Sequence, residues 1–436
     1  MKKVSSPASV HPGDAVFNRR AFLRTGPALA AATLAAPLLP AQAQTSGAPR
    51  WCGTWGAAPV GPPPAASTQT WSSQTLRLIV RTSIGGSRVR IRVSNDMGAT
   101  PLRIGRASIA LRASGAAINA ASLRVLRFGG QATITLPART SALSDPVDLA
   151  VPAQADLAVS LYLSGSTQGS TLHNLALQTN YVSPGGDYCT ATSMPVSRSL
   201  ASWPFLTEVD VDVEAGVPCL MALGDSITDG QGSTANANRR WPDYLARRLQ
   251  ASLGAARRVG VVNRGITGNF LLKSSPNAPL AGRSALERFD SDVLATSGVR
   301  FVVALLGIND IRSASTPPPA NDLIAGYRQM ITRAHARGVA IIGATLPPYE
   351  GFIYYSAAGD RVRRALNDWM RASSEFDGLL DAEAALRDPA RRGRMLPAYD
   401  SGDHLHPNDA GYQAIANAMP LAPFVTTGLV AGEPAR

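Results

Sequence analysis

Apolar and polar residues alternate along much of the first half of the chain. Over residues 89–93, valine and isoleucine take every second position and arginine the positions between, and residues 76–81 show a similar alternation. A period of two is typical of a strand with one buried face. Gly85-Gly86 stands between these two runs and predicts a hairpin turn. Further strand-like runs follow at 107–111, 123–128, 132–136, 147–149 and 157–163. Such a series of short strands predicts a β-sandwich of about 150 residues.

The second half of the chain has a different pattern. Continuous apolar runs occur at 217–223, 259–262, 301–306 and 339–344. Such runs are typical of strands that are buried on both faces of a parallel sheet. Helical periodicity separates them at 241–253, 323–336 and 359–376. The alternation predicts a doubly wound α/β domain over residues 216–436, preceded by the β-sandwich domain over residues 44–215.

The first 43 residues have the features of an export signal. Residues 18–24, Asn-Arg-Arg-Ala-Phe-Leu-Arg, are typical of a twin-arginine motif, and Ala41-Gln42-Ala43 is typical of a cleavage site. The apolar run at 28–39 is shorter than the roughly 20 residues that a membrane-spanning helix needs. We therefore expect a signal peptide that is read by the twin-arginine export machinery, a periplasmic or secreted mature chain, and no stable membrane span.

The formal charge of +12 raises the question of a nucleic-acid partner. Part of the excess lies in the signal peptide, which carries Lys2, Lys3 and three arginines against one aspartate. Elsewhere the basic residues are scattered arginines, and no basic stripe is interleaved with aromatic residues. We expect no nucleic-acid partner.

Three cysteines, Cys52, Cys189 and Cys219, remain after the signal peptide. An oxidising compartment permits one disulfide among them, and buried, unpaired thiols are the alternative. Their spacing is not that of a metal site.

Four short polar stretches follow predicted strands or lie near the C-terminus of the second domain. They are 224–230 (Gly-Asp-Ser-Ile-Thr-Asp-Gly), 262–269 (Val-Asn-Arg-Gly-Ile-Thr-Gly-Asn), 306–310 (Leu-Gly-Ile-Asn-Asp) and 403–408 (Asp-His-Leu-His-Pro-Asn). Each alone is explained by a helix cap or a turn, and Asp403 with His404 resembles one corner of a metal site. No second His or Cys cluster completes such a site. The remaining histidines, His11, His173 and His335, are expected to be unrelated to these four stretches.

Together the four stretches contain the groups needed for acyl transfer. Ser226 directly follows a strand, so its hydroxyl faces the edge of the sheet where ligands bind. Asp403 precedes His406 by three residues, a spacing at which a carboxylate can hold imidazole Nδ1 and leave Nε2 to take a proton from serine. The side chain of Asn309 and a glycine amide of the second stretch can donate hydrogen bonds to an oxyanion.

The four stretches also resemble the signature blocks of the SGNH, or GDSL, hydrolase superfamily over residues 216–420. The resemblance implies Ser226 as nucleophile, His406 as base, Asp403 as its orienting carboxylate, and an oxyanion hole formed by the amides of Ser226 and Gly268 and by Asn309. It further implies a flavodoxin-like three-layer sandwich with a five-stranded parallel sheet, and no metal or organic cofactor. The first domain, with Trp-x-Gly-Thr-Trp at 51–55 and Ser-Asn at 94–95, resembles the β-domain of one exported bacterial subgroup.

The family resemblance leaves the substrate open. An exported esterase that removes acetyl groups from a polysaccharide or other glycan is the first hypothesis, and a small ester is the simplest substrate. A lipase, arylesterase or thioesterase for longer acyl chains is the alternative, with an acyl pocket at 270–272 or 349–355. A binding protein with a degenerate site is the third. If the first domain contributes to the site, Asn95 and the loops around Trp71 and His173 are the candidates.

Overall fold

The computed structural model describes residues 50–426, apart from 215, 255–256, 276–277 and 314–315. The predicted signal peptide, residues 1–43, lies outside the described residues. The described residues belong to one compact unit, and one hydrophobic cluster includes side chains from both halves of the chain. The predicted domain boundary between 215 and 216 therefore stays a prediction. No helix within the described ranges is long and apolar enough to cross a membrane.

Antiparallel strands fill the first part of the described chain. They are β1 Arg50–Gly56, β2 Thr70–Arg81, β3 Gly86–Ser94, β4 Leu102–Ser114, β5 Ala117–Ile118, β6 Arg124–Leu126, β7 Ile134–Leu136, β8 Ser141–Leu143, β9 Val147–Val151, β10 Asp156–Gln168, β11 Leu172–His173, β12 Asn180–Gly185, β13 Arg198–Leu200, β14 Trp203–Pro204 and β15 Leu206–Val213. One sheet has the order β1-β15-β3-β8, with β9 also on β3, and a larger one has the order β13-β12-β2-β10-β4-β5, with β6 and β7 on β4. The predicted antiparallel, strand-rich first part is confirmed, and its description as a β-sandwich stays a prediction.

The predicted hairpin at Gly85-Gly86 is wrong. β2 and β3 do not pair with each other, because they lie in different sheets. A Cβ on Gly85 would lie 2.3 Å from the carbonyl oxygen of Val151, and one on Gly86 would lie 2.4 Å from that of Asp212. Glycine is thus required here for close backbone packing where the chain changes sheets.

The second part of the chain alternates strands and helices. Its elements are β16 Cys219–Gly224, α1 Ser226–Asp229, α2 Trp241–Leu253, β17 Gly260–Gly265, α3 Ala285–Arg288, β18 Val299–Leu305, α4 Ile308–Arg312, α5 Ala320–His335, β19 Ala340–Ala344, α6 Ala357–Ala372, β20 Gly378–Leu380, α7 Ala382–Leu386, α8 Asp409–Ala418 and α9 Ala422–Thr426. The strands form a parallel sheet with the order β17-β16-β18-β19-β20. The predicted parallel sheet is confirmed, and the three-layer arrangement stays a prediction.

The strand order positions the site. When the five strands are numbered in chain order, their order in the sheet is 2-1-3-4-5. The chain therefore places β17 on one side of β16 and then crosses over to place β18 on its other side. In doubly wound sheets, ligands bind at the carboxyl ends of the strands where this reversal occurs. Gly224 at the end of β16 is in register with Gly265 of β17 and Leu305 of β18, so the polar stretches that follow these strands start at the same edge.

The three cysteines are buried and unpaired. Burial raises the pKa of the Cys189 thiol far above its ordinary value, so this thiol is not ionised at neutral pH. Of the two alternatives, the structure has buried thiols and no disulfide between these three residues.

Candidate active site

Ser226 lies at the carboxyl end of β16, as the first residue of α1. A Cβ on Gly224 would lie 2.0 Å from Thr228 Oγ1, so glycine is needed for the tight turn between strand and helix. Asp225 caps the helix, since its Oδ1 accepts a hydrogen bond from the Ile227 N–H at 3.0 Å. The N–H of Ser226 has no carbonyl earlier in the helix to bond, which is the general condition of a first helical turn. The cap is thus formed by Asp225, and Ser226 is left for other contacts.

Ser226, His406 and Asp403 are brought together across the chain. The Ser226 hydroxyl oxygen lies 2.8 Å from His406 Nε2, and His406 Nδ1 lies 2.5 Å from Asp403 Oδ2. Oδ1 of Asp403 accepts hydrogen bonds from the N–H groups of Leu405 at 3.0 Å and His406 at 2.8 Å. Partial burial opposes the charge of Asp403, but the bonds from the side chain and backbone of His406 hold its pKa well below the ordinary range. The ionised carboxylate therefore keeps a proton on Nδ1 and leaves the Nε2 lone pair facing Ser226.

Among the residues that the structure describes, one side-chain N–H bond of Asn309 has no acceptor. Its Oδ1 accepts from Arg312 Nε at 2.8 Å, and its Nδ2 donates to the Asn269 carbonyl oxygen at 2.8 Å. A donor on one side and an acceptor on the other fix the orientation of the amide. Nδ2 carries two protons, and the bond to Asn269 uses one of them. The buried amide can therefore donate one further hydrogen bond.

Gly268 presents its backbone N–H in a turn. Asn269 N–H donates to the Ile266 carbonyl oxygen at 3.0 Å, and Gly268 at the third position has φ +80°, which favours glycine. Among the described residues the Gly268 N–H has no backbone acceptor. The other glycine of this stretch, Gly265, already donates its N–H to Asn263 Oδ1 at 2.9 Å. This difference favours Gly268 as the oxyanion donor.

Arg288 is a buried residue of the site that the sequence did not indicate. Its guanidinium donates to the carbonyl oxygens of Arg264 at 2.8 Å and Gly224 at 3.1 Å, and to Asn269 Oδ1 at 2.8 Å. Burial lowers the pKa of Arg288 to about 10, so the group stays charged at neutral pH. Arg288 thus ties the ends of β16 and β17 to the loop that carries Gly268.

Asp310 also orders a neighbouring loop. Its carboxylate oxygens accept hydrogen bonds from the N–H groups of Leu271 at 2.8 Å and Leu272 at 3.0 Å. A groove of about 590 Å³ adjoins this point. Its lining includes Phe270, Leu272, Asp310 and Pro318.

An aromatic segment lies beside Arg312. The guanidinium carbon of Arg312 is 5.3 Å from the ring centre of Phe352 and 5.9 Å from that of Tyr354. The side chain of Tyr354 is 59% exposed and that of Ile353 is 81% exposed, which is unusual for residues of this size. We call residues 352–354 the aromatic rim.

His404 pairs with Asp400. Its Nδ1 lies 2.5 Å from Asp400 Oδ2, and its backbone has φ +66°, which is uncommon for histidine. Within the ranges that the structure describes, no three His, Cys, Asp or Glu side chains are grouped as a metal ion would require.

Three residues from the first part of the chain were candidates for the site, and among the described residues only one of them contacts a polar stretch of the second part. Asn95 is buried, and its Nδ2 donates to the carbonyl oxygens of Thr100 and Leu136, so it stabilises a turn. Trp71 is buried against Phe205. His173 reaches the second part of the chain, since its Nε2 lies 2.9 Å from Asp229 Oδ1. The expectation that His173 is unrelated to the polar stretches is wrong, because Asp229 is in the same short helix as Ser226.

Residues 222–414 match the model of the GDSL-like lipase/acylhydrolase family. This domain is a member of that family. The GDSL domain is accordingly a hydrolase that acts on esters. A comparison with curated proteins finds no match.

Several solved structures are similar to a part of this chain. A lipolytic protein of the G-D-S-L family from Desulfitobacterium hafniense DCB-2 is 21% identical, with a TM-score of 0.35 over 46% of this chain and 96% of its own. A variant of Axe2, an acetyl xylan esterase from Geobacillus stearothermophilus, is 24% identical, with a TM-score of 0.35 over 49% of this chain and 96% of its own. LAE5, an alpha/beta hydrolase enzyme from the metagenome of Lake Arreo, Spain, is 25% identical, with a TM-score of 0.36 over 49% of this chain and 96% of its own.

Proposed function

We propose that the protein is an exported serine esterase that hydrolyses carboxylic esters through an acyl-enzyme, and that it removes acetyl groups from a polysaccharide or other glycan. The serine-esterase mechanism rests on one observation, the continuous series of contacts from Ser226 Oγ through the His406 ring to Asp403. The two separations are 2.8 and 2.5 Å. These are the distances at which a serine hydroxyl is activated by a neighbouring base.

The mechanism follows from these contacts. As Ser226 Oγ attacks the ester carbonyl carbon, its proton moves to His406 Nε2, and Asp403 stabilises the imidazolium that forms. The carbonyl oxygen becomes an oxyanion, which accepts hydrogen bonds from the N–H groups of Ser226 and Gly268 and from Asn309 Nδ2. The carbon–oxygen bond to the alcohol then breaks, and His406 returns the proton to the leaving oxygen. Water then gives a proton to His406 Nε2 as its oxygen attacks the acyl carbon. The bond between that carbon and Ser226 Oγ breaks, Oγ takes the proton back from His406, and the acid is released.

The glycan part of the proposal rests on the aromatic rim and on the predicted export. The exposed ring of Tyr354 lies beside Arg312, which bonds Asn309, so the rim is next to the oxyanion donors. A flat ring with a polar edge suits the apolar face of a sugar. Export through the twin-arginine machinery to the periplasm or the medium would place the enzyme where such polymers occur.

A second candidate is a lipase, arylesterase or thioesterase for longer acyl chains. The groove near Asp310 favours it, because its volume of about 590 Å³ is in the range of small-molecule sites and its lining includes Phe270 and Leu272. A longer acyl chain would lie along these side chains.

Turnover of p-nitrophenyl acetate, butyrate and octanoate tests both candidates. We expect preference for acetate, release of acetate from an acetylated polysaccharide, and loss of both activities in Ser226→Ala. Ser297→Ala is the control and should keep full activity. Ser297 precedes β18, so it lies at the amino ends of the parallel strands, opposite the end where Ser226 lies. Preference for octanoate would favour the second candidate. A folded protein with no activity on any ester would contradict the proposal and favour a binding protein.

The proposed location has its own test. Replacing Arg19 and Arg20 by lysine should retain the full-length chain in the cytoplasm of a twin-arginine-competent host, whereas the unchanged chain should be found, shortened, in the periplasm or medium. Unchanged export of the variant would contradict this route.

A further inference from the structure

His173 is a buried histidine whose two ring nitrogens both have acceptors. Nδ1 lies 3.0 Å from the carbonyl oxygen of Ala58, and Nε2 lies 2.9 Å from Asp229 Oδ1. A carbonyl oxygen and an ionised carboxylate only accept hydrogen bonds, so opposite the ionised Asp229 both nitrogens donate and the ring is an imidazolium. Burial opposes this charge, but the Asp229 carboxylate outweighs it and raises the pKa of His173. Two further charged groups lie near the pair. Arg240, which directly precedes α2, donates from Nε to the Asp229 backbone carbonyl at 3.0 Å, and its guanidinium pairs with Asp243 of α2 at 3.2 Å.

Asp229 links this pair to the loop of the oxyanion donor. Its second oxygen, Oδ2, accepts from the Thr267 N–H at 2.9 Å and from Thr267 Oγ1 at 2.8 Å. Thr267 directly precedes Gly268 in the turn that presents the donor N–H. Asp229 is also the last residue of the helix that begins at Ser226. One carboxylate therefore connects the histidine, the serine helix and the donor turn.

Removing His173 would leave Asp229 Oδ1 without a hydrogen-bond partner among the described residues. Asp229 is only 3% exposed, and a water molecule that entered the vacated space would supply neither the positive charge nor the fixed position of the imidazolium. A buried carboxylate in this state either takes up a proton or rotates toward a new partner. Both responses weaken the two bonds to Thr267 and let the Gly268 amide move.

We propose that His173, which comes from the strand-rich first part of the chain, is a positioning residue of the esterase site: through Asp229 it holds the turn that directs the Gly268 N–H at the oxyanion. The proposal rests on the proposed function for its kinetic consequence, whereas the link from His173 to the turn is a property of the folded chain. It gives the first part of the chain a role in the reaction, in addition to its packing.

A second buried link between the two parts of the chain provides a matched control. Asp210 is 1% exposed, and its Oδ2 accepts from Arg90 Nε at 2.9 Å and from Ser297 Oγ at 2.8 Å. Ser297 lies just before β18, at the amino end of the parallel sheet. Like the His173 link, the Asp210 link consists of a buried aspartate paired with a basic side chain. It differs in its position, since it lies at the amino ends of the parallel strands, away from Gly268.

The test compares His173→Ala, His173→Gln and Asp210→Ala with the unchanged chain. An oxyanion donor stabilises charge that develops only in the transition state, so displacing it lowers kcat and leaves substrate binding unchanged. We therefore expect His173→Ala to lower kcat for p-nitrophenyl acetate by roughly 10- to 100-fold, with KM little changed. His173→Gln, whose amide can still donate to Asp229, should recover part of the loss. Asp210→Ala should lower the melting temperature and leave kcat within about twofold, since it does not touch the site.

Hydrogen exchange of the backbone amides of residues 266–269 provides a readout that does not need activity. Exchange in this turn should be faster in His173→Ala and unchanged in Asp210→Ala. Unchanged exchange and unchanged kcat in His173→Ala would overturn the proposal, and so would an equal fall of kcat in Asp210→Ala, which would indicate general destabilisation. If His173→Ala does not fold, His173→Gln and Thr267→Ala are judged by the same two measurements. If the unchanged chain hydrolyses no ester, the proposed function fails, and the exchange data alone decide whether His173 holds the turn.

Discussion

Replacing Asn309 by alanine removes a side-chain amide whose free N–H bond is fixed before any substrate binds. Arg312 and the Asn269 carbonyl hold this amide at 2.8 Å each, so no reorientation is needed as charge develops on the substrate oxygen. Loss of one such donor costs about 100- to 1,000-fold in kcat, or about 3–4 kcal/mol of transition-state stabilisation. We expect Asn309→Ala to show this loss with p-nitrophenyl acetate, and Asn309→Asp to lose more because it places a negative charge beside the oxyanion.

The same substitution also leaves the Asn269 carbonyl without its partner, which costs stability by about 1–3 kcal/mol. Asn180→Ala separates the two effects. Asn180 is equally buried, accepts from the Ile79 N–H at 2.7 Å and donates to the Ser202 carbonyl at 2.8 Å, but it lies in β12 of the first part. Asn180→Ala should therefore match the loss of stability in urea denaturation and keep its kcat. A kcat for Asn309→Ala within about threefold of the unchanged enzyme would refute its assignment as an oxyanion donor.

Three further predictions concern groups around the site. Asp403→Asn should lower kcat by about 10⁴-fold and leave the fold intact by circular dichroism, because the amide no longer selects the proton position on His406; a loss below tenfold would contradict its role. Arg288→Ala should lower the free energy of unfolding by about 3 kcal/mol in urea, since it removes a buried cation that donates to the carbonyl oxygens of Arg264 and Gly224 and lies 3.5 Å from Asp292; a change below about 1 kcal/mol would contradict its role in holding β16 and β17 to the Gly268 loop. The raised pKa of His173 means that its ion pair stabilises the fold fully below the unfolded pKa of about 6.5 and loses this contribution as pH rises through the raised value. The stability difference between the unchanged chain and His173→Gln should therefore be larger at acidic than at alkaline pH, and the opposite trend would contradict the imidazolium assignment.

The sequence was sufficient to predict the parallel sheet and the four polar stretches, because both depend on local pattern. Strands buried on two faces are apolar at every position, and residues at their carboxyl ends must share an edge. The apolar pattern predicted four strands and gave no position for the last one, β20, since its three residues, Gly378–Leu380, carry too short a pattern. A fifth strand was implied only by the family resemblance.

Features that depend on distant contacts were not predictable. Gly85-Gly86 has the local signature of a hairpin, and only the packing of Val151 and Asp212 against it shows that the chain changes sheets. Arg288 cannot be distinguished by its neighbours in sequence from an arginine on a helix surface. The partner of His173 is 56 residues away along the chain, so its pairing with Asp229 has no local signal.

The central claim is that Ser226 forms the acyl-enzyme, and rapid-quench mass spectrometry tests it most directly. The enzyme is mixed with excess p-nitrophenyl acetate, quenched in acid within the first turnover, digested, and analysed for the peptide that contains Ser226. The account predicts one acetyl group on Ser226, formed together with a burst of p-nitrophenol, and neither in Ser226→Ala. Turnover by Ser226→Ala at a rate near that of the unchanged enzyme, or acetylation of a different residue at the burst rate, would contradict it.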